Sequence, residues 1–232
     1  MRIAIIGTGR MGRAVMEVAR DRGHDIVTSI ASAENDQGAA ITADRLAGAE
    51  VAVEFTRPES VVGNLERLVD LGVPTVTGTT GWADQVPAIT ARVDSRGGSL
   101  LHAPNFSTGV ALLLRAARLV ATEFAGREEF GAFLVDEHHA AKRDAPSGTA
   151  LALQIALRGG DASREFPVTS IRGGHHPGRH RVTWDSRFET VQLEHAARDR
   201  RVFAEGAVRA AEWLPGRPGV FTYDDVLFGR DS

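Results

Sequence analysis

The chain has no cysteine among its 232 residues. Disulfides, thiol nucleophiles and thiolate-held metals are thereby excluded. It has no long hydrophobic run: GVALLL and LALQIAL fall far short of the roughly 20 residues that a membrane helix needs. It has little excess charge, 27 basic against 30 acidic side chains for a formal −3. That balance gives no bulk attraction to nucleic acid or to an anionic membrane. The apolar run in the N-terminal MRIAIIGTG is too short for a signal peptide and reads as a buried strand, so a cytoplasmic protein is expected. Lysine is almost absent too. Lys142 is the only one among the 27 basic residues; arginine fills every other basic position.

What is present is enough for an ordinary core. Hydrophobic residues make up 43 % of the chain and charged residues 25 %, which supports a packed globule without staples. The first hundred residues alternate short β-branched runs with helical patterns. Ile3–Ile6, Ile26–Ile30, Val51–Phe55, Val73–Val76 and Leu100–Leu101 read as strands. Met11, Val15, Val18 and Ala19, then Val61–Leu71 and Ala83–Val93, read as helices. Strands alternating with helices imply βαβ units and a parallel sheet.

After Asn105 the character changes. Gly109–Phe124 and Ser147–Leu157 read as helices. Phe130–His138, Val168–Arg172, His180–Arg187 and Thr190–Ala197 read as strands with little helix between them. TVQLEH alternates apolar and polar, a half-buried antiparallel pattern. The reading is α/β: an N-terminal Rossmann-type parallel sheet, then an α+β domain on a mixed, largely antiparallel sheet. The boundaries are 1–106 for the first domain, rejoined by 206–232, and 107–205 for the second. Val202–Leu214 is expected to be helical, with Asp224–Leu227 a short last element.

GTGRMG places Gly7, Gly9 and Gly12 in G-x-G-x-x-G spacing, after a strand and before a helix, which is the context that dinucleotide binding requires. The first glycine permits a tight turn, the second a close approach to pyrophosphate, the third close helix–strand packing. A tight turn without a ligand is the alternative. The acid that reads the ribose 2′-hydroxyl should close the second strand. DIVTSIAS ends there without one, and the nearest acid is Glu34. Its absence removes repulsion of a 2′-phosphate, which Ser32 and Arg10 would meet, and favours NADPH or use of both cofactors over NADH alone. Alternatively, Glu34 fills the role from a loop. Gly78-Thr79-Thr80-Gly81 and Ala103-Pro104-Asn105-Phe106 also follow strand ends, where ligands bind in open parallel sheets, though ordinary turns would look the same.

The densest polar cluster is HHAAKRDAPSGTA, His138 to Ala150. A histidine moves protons near neutral pH, and lysine, unlike arginine, can release one. Ser147-Gly148-Thr149 opens a helix behind Pro146, so its backbone N–H groups and hydroxyls form an anion site suited to a carboxylate. The alternative is an arginine-biased chain with one chance lysine and a histidine pair capping a strand. His175, His176 and His180 in RGGHHPGRH suggest a metal. The loop glycines, the divergent directions of adjacent histidines and the lack of a nearby carboxylate argue against it, and no metal is expected.

Together these blocks resemble the 4-hydroxy-tetrahydrodipicolinate reductase family, also called dihydrodipicolinate reductase, of diaminopimelate and lysine synthesis. GTGRMG, EFTRP, GTTG, APNFSTGV, HHAAKRDAPSGTAL, SIRGGHHPGRH, FAEGAVRAAEWL and PGVFTYDDVL occur in the family's order, and the HH-x-x-K-x-DAPSGT block is highly specific. The resemblance implies reduction of a cyclic imine dicarboxylate by NADPH or NADH, in a homotetramer assembled through the C-terminal domain. It implies His138 as catalytic acid/base and Lys142 as proton donor. It implies His139, Ser147, Gly148 and Thr149 on the substrate carboxylates. It implies Gly7, Thr8, Gly9, Arg10, Met11 and Gly12, with Gly78, Thr79, Thr80, Ala103, Pro104, Asn105 and Phe106, on the cofactor; Ser32 joins them from the ribose argument. Asp136, Ala140-Ala141, Arg179 and Glu54 depart from the family's usual residues, none of them expected to touch the proton donor or the carboxylate site. A redox sensor without turnover, or a reductase of another imine or keto acid, are the competing readings.

Overall fold

A computed structural model describes residues 1–46 and 48–229. Two compact units emerge: residues 1–106 with the segment from Arg201 onward, and Ser107–Arg200. The first carries a six-stranded sheet: β1 (Arg2–Ile6), β2 (Asp25–Ile30), β3 (Val51–Glu54), β4 (Thr75–Thr77), β5 (Ser99–His102) and β10 (Gly219–Phe221). Their spatial order is β10-β5-β4-β3-β1-β2, and every pairing is parallel. Helices α1 (Arg10–Asp21), α2 (Pro58–Asp70) and α3 (Val86–Arg96) supply the crossovers. The middle strands are buried on both sides, as β1 and β3 show, which is why Ile3–Ile6 and Val51–Val53 are unbroken apolar runs.

The first unit takes up the chain again at Arg201. Helix α6 (Arg201–Trp213) is continuous, and Ala204, Ala207, Val208, Ala210 and Ala211 pack it into the same core as Val15 and Val18. Two elements follow, β10 and α7 (Tyr223–Phe228). Strand β10 has no counterpart in the sequence reading; three residues beside a proline-glycine turn leave no periodicity to detect.

The second unit holds α4 (Thr108–Phe124), β6 (Gly131–His138), α5 (Gly148–Gly160), β7 (Val168–Arg172), β8 (Gly178–Asp185) and β9 (Thr190–Ala197). Its sheet runs β7-β6-β8-β9, with β6 and β7 parallel and the other pairs antiparallel. Alternation along β6 sorts its residues by face. Leu134 joins Val182, Trp184, Leu153 and Leu157 in the core beneath the helices, while Phe133 lies on the opposite, exposed face. Positions 136 and 138 continue the Leu134 face, so the core side of the sheet turns polar at the end of the strand. Among the described residues no helix is long and apolar enough to cross a membrane.

Candidate active site

The strand order 2-1-3-4-5 has its switch point between β1 and β3, where ligands bind beyond the strand ends. The loops there are built to approach closely. Gly7 has φ +97°, and a Cβ on it would lie 2.0 Å from the Phe55 carbonyl oxygen. A cavity of about 280 Å³ opens at this point, lined by Gly9, Arg10, Met11, Phe55, Thr56, Pro58, Gly78, Thr79 and Thr80. A Cβ on Gly9 would meet nothing within 4 Å, so its backbone faces open space, as a pyrophosphate requires. The cavity residues therefore fit a nicotinamide dinucleotide. Phe55, Thr56 and Pro58 were not identified in the sequence. Their signal was available, because EFTRP follows the third strand just as GTGRMG follows the first.

Thr56 N–H donates to Thr79 Oγ1 at 2.8 Å, tying two of these loops together. Beneath them Glu54 is fully buried, accepting from the Thr56 and Thr77 hydroxyls and from Asn64 Nδ2. The 103–106 loop plays a mixed part. Phe106 is buried against Phe55 and Tyr223, so it has backbone rather than ring to offer a ligand, while Pro104 is exposed. Ser32 opens a short 3₁₀ turn after β2 and is exposed.

In the second unit, the centre of the polar sheet end is Asp136, completely buried. Oδ1 accepts from Ser147 Oγ at 2.8 Å, and Oδ2 from Ser147 N–H at 2.9 Å, Ser170 Oγ at 3.1 Å and Arg172 Nη2 at 2.8 Å. Burial alone would raise its pKa, but the guanidinium and the serine donors outweigh that and hold the carboxyl well below the usual carboxylate range. Asp136 therefore joins β6, β7 and the start of α5. It is one of the departures noted in the sequence, and it touches the proposed anion site directly, contrary to the expectation that none of them would.

Ser147 was expected to hold substrate. Instead both its N–H and its hydroxyl point inward to Asp136, and it is 2 % exposed. Its Oγ also accepts from Ala150 N–H at 3.2 Å, capping α5. Since its proton goes to Asp136, the 3.1 Å contact to His180 Nε2 assigns the proton there to the histidine. His180 is thus the Nε2–H tautomer, and burial, the largest influence, pushes its pKa down to about 4.

His138 is 6 % exposed, its ring edge-to-face with His180 at 5.2 Å. Its Nδ1 lies 3.0 Å from Asp136 Oδ1, but off the direction a hydrogen bond needs. Burial lowers its pKa, with the charges of Lys142 and Arg172 adding to that and Asp136 opposing it, so the ring is neutral at pH 7. A Cβ on Gly178 would come within 2.7 Å of His138 Nε2, so only glycine fits beneath that ring. Lys142, by contrast, is half-buried, its ammonium 2.8 Å from Asp144 Oδ1. Arg172 Nη2 also donates to the Asp144 carbonyl at 2.6 Å, fastening the lysine loop to the hub.

The two histidine-rich stretches adjoin. His139 N–H donates to the His176 carbonyl, Ala140 N–H to that of Gly174, and Gly173 N–H to that of His138. His175 and His176 are exposed on that loop, whereas His180 is buried in β8, so the three histidines do not form one set. The carboxylate that the sequence reading found missing is Asp136, paired in register with His180. Donor atoms of Asp136, His138 and His180 lie within 4.8 Å of one another, a spacing a metal accepts. Yet both carboxylate oxygens are committed to Ser147, Ser170 and Arg172, and the guanidinium opposes a cation.

The buried histidines make a pH prediction. A histidine with a depressed folded-state pKa lets the unfolded chain bind more protons, so stability is full above about pH 6.5 and falls as pH drops toward the folded value. For His180 the window runs from 6.5 to about 4, a loss of about 3 kcal/mol at its lower end. Urea titrations at pH 7 and pH 4.5 should show a shallower decline for His180→Gln than for the parent chain. Parallel declines would contradict the assignment.

Comparison with known proteins agrees with this architecture. The family described as "Dihydrodipicolinate reductase, N-terminus" matches residues 1–106, and "Dihydrodipicolinate reductase, C-terminus" matches 109–227. A 4-hydroxy-tetrahydrodipicolinate reductase of Christiangramia forsetii is 33 % identical, over 98 % of each chain. One from Thiobacillus denitrificans is 37 % identical over 98 % of each. A solved structure described as dipicolinate-bound dihydrodipicolinate reductase from Paenisporosarcina sp. TG-14 shares the fold, with a TM-score of 0.79 at 19 % identity over 96 % of this chain and 97 % of that one. With both halves matched and relatives above 30 % identity end to end, the chain belongs to the dihydrodipicolinate reductase family.

Proposed function

We propose that this protein is a nicotinamide-dependent reductase that converts 4-hydroxy-tetrahydrodipicolinate, by way of dihydrodipicolinate, to tetrahydrodipicolinate. Overall, one NAD(P)H and one proton are consumed, and one NAD(P)⁺ and one water are released. The observation that carries the reading is the convergence at Asp136, which fastens the start of α5 directly and the Lys142 loop through Arg172 to one sheet end, beside the His138 ring.

The residues of the first unit hold the cofactor: Gly7 to Gly12 and Gly78 to Thr80, with Phe55 and Thr56 added. When bound, the nicotinamide supplies the hydride. In the second unit, Gly148 at the first position of α5 is exposed. With Thr149 it presents the helix N-terminus to one substrate carboxylate, while Ser147 fixes that end from below. His139 serves a second polar contact. Lys142 delivers the proton that must follow hydride arrival. His138, neutral and buried, acts beneath the site as a polar neighbour of Asp136 rather than as the first acid. The open face of the β7-β6-β8-β9 sheet, with Phe133 and Ile171 exposed, supports assembly of the homotetramer that the family resemblance implies. The test is cofactor oxidation followed at 340 nm with freshly generated substrate, using NADH and NADPH side by side. Substrate-dependent oxidation is expected; none with either cofactor would reject the reading.

A further inference from the structure

Strand β3 reads Val51-Ala52-Val53 and then breaks its apolar run with Glu54, which is fully buried. A fourth apolar residue would simply continue the run, whereas a carboxyl group taken out of water needs compensation. Its bonding partners among the described residues are all neutral. Oε1 accepts from the Thr56 hydroxyl and from Asn64 Nδ2 at 3.3 Å, and Oε2 accepts from the Thr77 hydroxyl at 2.6 Å.

The place of this group in the sheet matters. In register Glu54 lies between Ile6 and Thr77, the residues just before Gly7 and Gly78. The loops that line the cofactor cavity therefore start one residue beyond this row. Both hydroxyls already accept a bond: Thr77 Oγ1 takes the Thr79 N–H at 3.3 Å, and Thr56 Oγ1 takes Asn64 Nδ2 at 3.2 Å. Each still has a proton to give, and both protons go to the one carboxyl group. The backbone follows. Gly78 N–H donates to the Glu54 carbonyl at 3.1 Å, Thr56 N–H reaches Thr79 Oγ1 at 2.8 Å, and the Thr79 carbonyl accepts from Trp82 Nε1 at 2.7 Å. The 78–80 loop is thus tied from the inside, and its shape depends on where the Thr56 and Thr77 hydroxyls point.

We infer that Glu54 is a positioning residue for the cofactor: through Thr56 and Thr77 it holds the loops after β3 and β4 in the shape that binds, and it touches no ligand itself. Its direct partners belong to β3, β4 and α2, not to the turn after β2, so phosphorylated and unphosphorylated cofactors depend on it equally. Glu54→Gln keeps the size of the side chain but replaces one acceptor by a donor. One hydroxyl must then turn away, and its loop moves with it.

This inference rests on the reading of the first unit as the cofactor site, and the test separates the two. Dissociation constants of NADH and NADPH are measured by fluorescence titration of the full chain, as the parent, Glu54→Gln, Thr77→Val and double-variant forms, with urea denaturation of each as a separate reading of stability. Both constants are expected to rise more than about threefold in each single variant, alike for the two cofactors. The double variant is expected to bind at least about twofold tighter than the product of the single effects, because residues that act through one another are not additive. A side chain that only stabilised the sheet would lower the urea midpoint and leave the constants of the folded protein unchanged. Constants within about threefold of the parent's in either folded single variant, a rise for one cofactor alone, or a double variant at the product of the single effects would overturn the role of Glu54 while the cofactor site stands. Should Glu54→Gln not fold, Thr77→Val decides alone by the same threshold. Failure of the parent chain to bind either cofactor would overturn both.

Discussion

Lys142→Met is expected to lower kcat by about 10²–10⁴-fold, the usual worth of a positioned general acid, while cofactor affinity stays within about twofold. The residue lies on a loop of the second unit, where its ammonium is held by Asp144. Lys142→Arg is the sharper variant. It keeps the charge and can keep the Asp144 pair, but a guanidinium does not surrender a proton in a protein. Steady-state kinetics of the arginine form should therefore resemble those of the methionine form. Near-parental turnover with arginine would mean that charge alone, not a transferable proton, is what the reaction requires of this position. It would also leave the chain's one lysine without a chemical reason.

The second large effect is on stability. Asp136→Ala is expected to cost about 3–5 kcal/mol, the range for breaking a buried ion pair from one side. Arg172, whose side chain is 16 % exposed, would be left with its charge uncompensated, and the Ser147 N–H and hydroxyl would lose their acceptors. Chemical denaturation measures this; a loss below about 1 kcal/mol would show that the hub is not what holds the sheet end together. Asp136→Glu, which keeps a carboxylate at this place, should recover most of the stability if Ser147 and Arg172 can follow the longer side chain. Because Ser147 caps α5, the alanine form should also raise KM for the substrate more than it raises KM for the cofactor.

The elements with strong periodicity were legible. The apolar run Ile3–Ile6, the glycine turn and the following helix announced β1 and α1, and alternation in TVQLEH announced β9. Chemistry confined to one contiguous stretch, His138 to Thr149, was visible as a cluster. What was not visible depends on register and on chain segments far apart. Asp136 looked like a conservative departure until the antiparallel register set it opposite His180 and the parallel one set it opposite Ser170. Ser147 looked like a substrate ligand because a helix N-terminus with a hydroxyl looks the same whether the hydroxyl faces a ligand or a buried carboxylate. His138 read as the catalytic acid/base from its neighbours alone, because composition does not report the burial that lowers its pKa. Glu34 forms an ion pair with Arg45 through a long loop whose path no local rule predicts.

In the proposed reaction a hydride leaves the nicotinamide for the ring of an unsaturated dicarboxylate. The direct measurement is mass spectrometry of the product formed from freshly generated 4-hydroxy-tetrahydrodipicolinate and NADH deuterated at the nicotinamide C4 position on either face, in separate reactions. Tetrahydrodipicolinate carrying one deuterium from one of the two labelled faces and none from the other is expected. Product without label from either face, or no product while the cofactor is demonstrably bound, would contradict it.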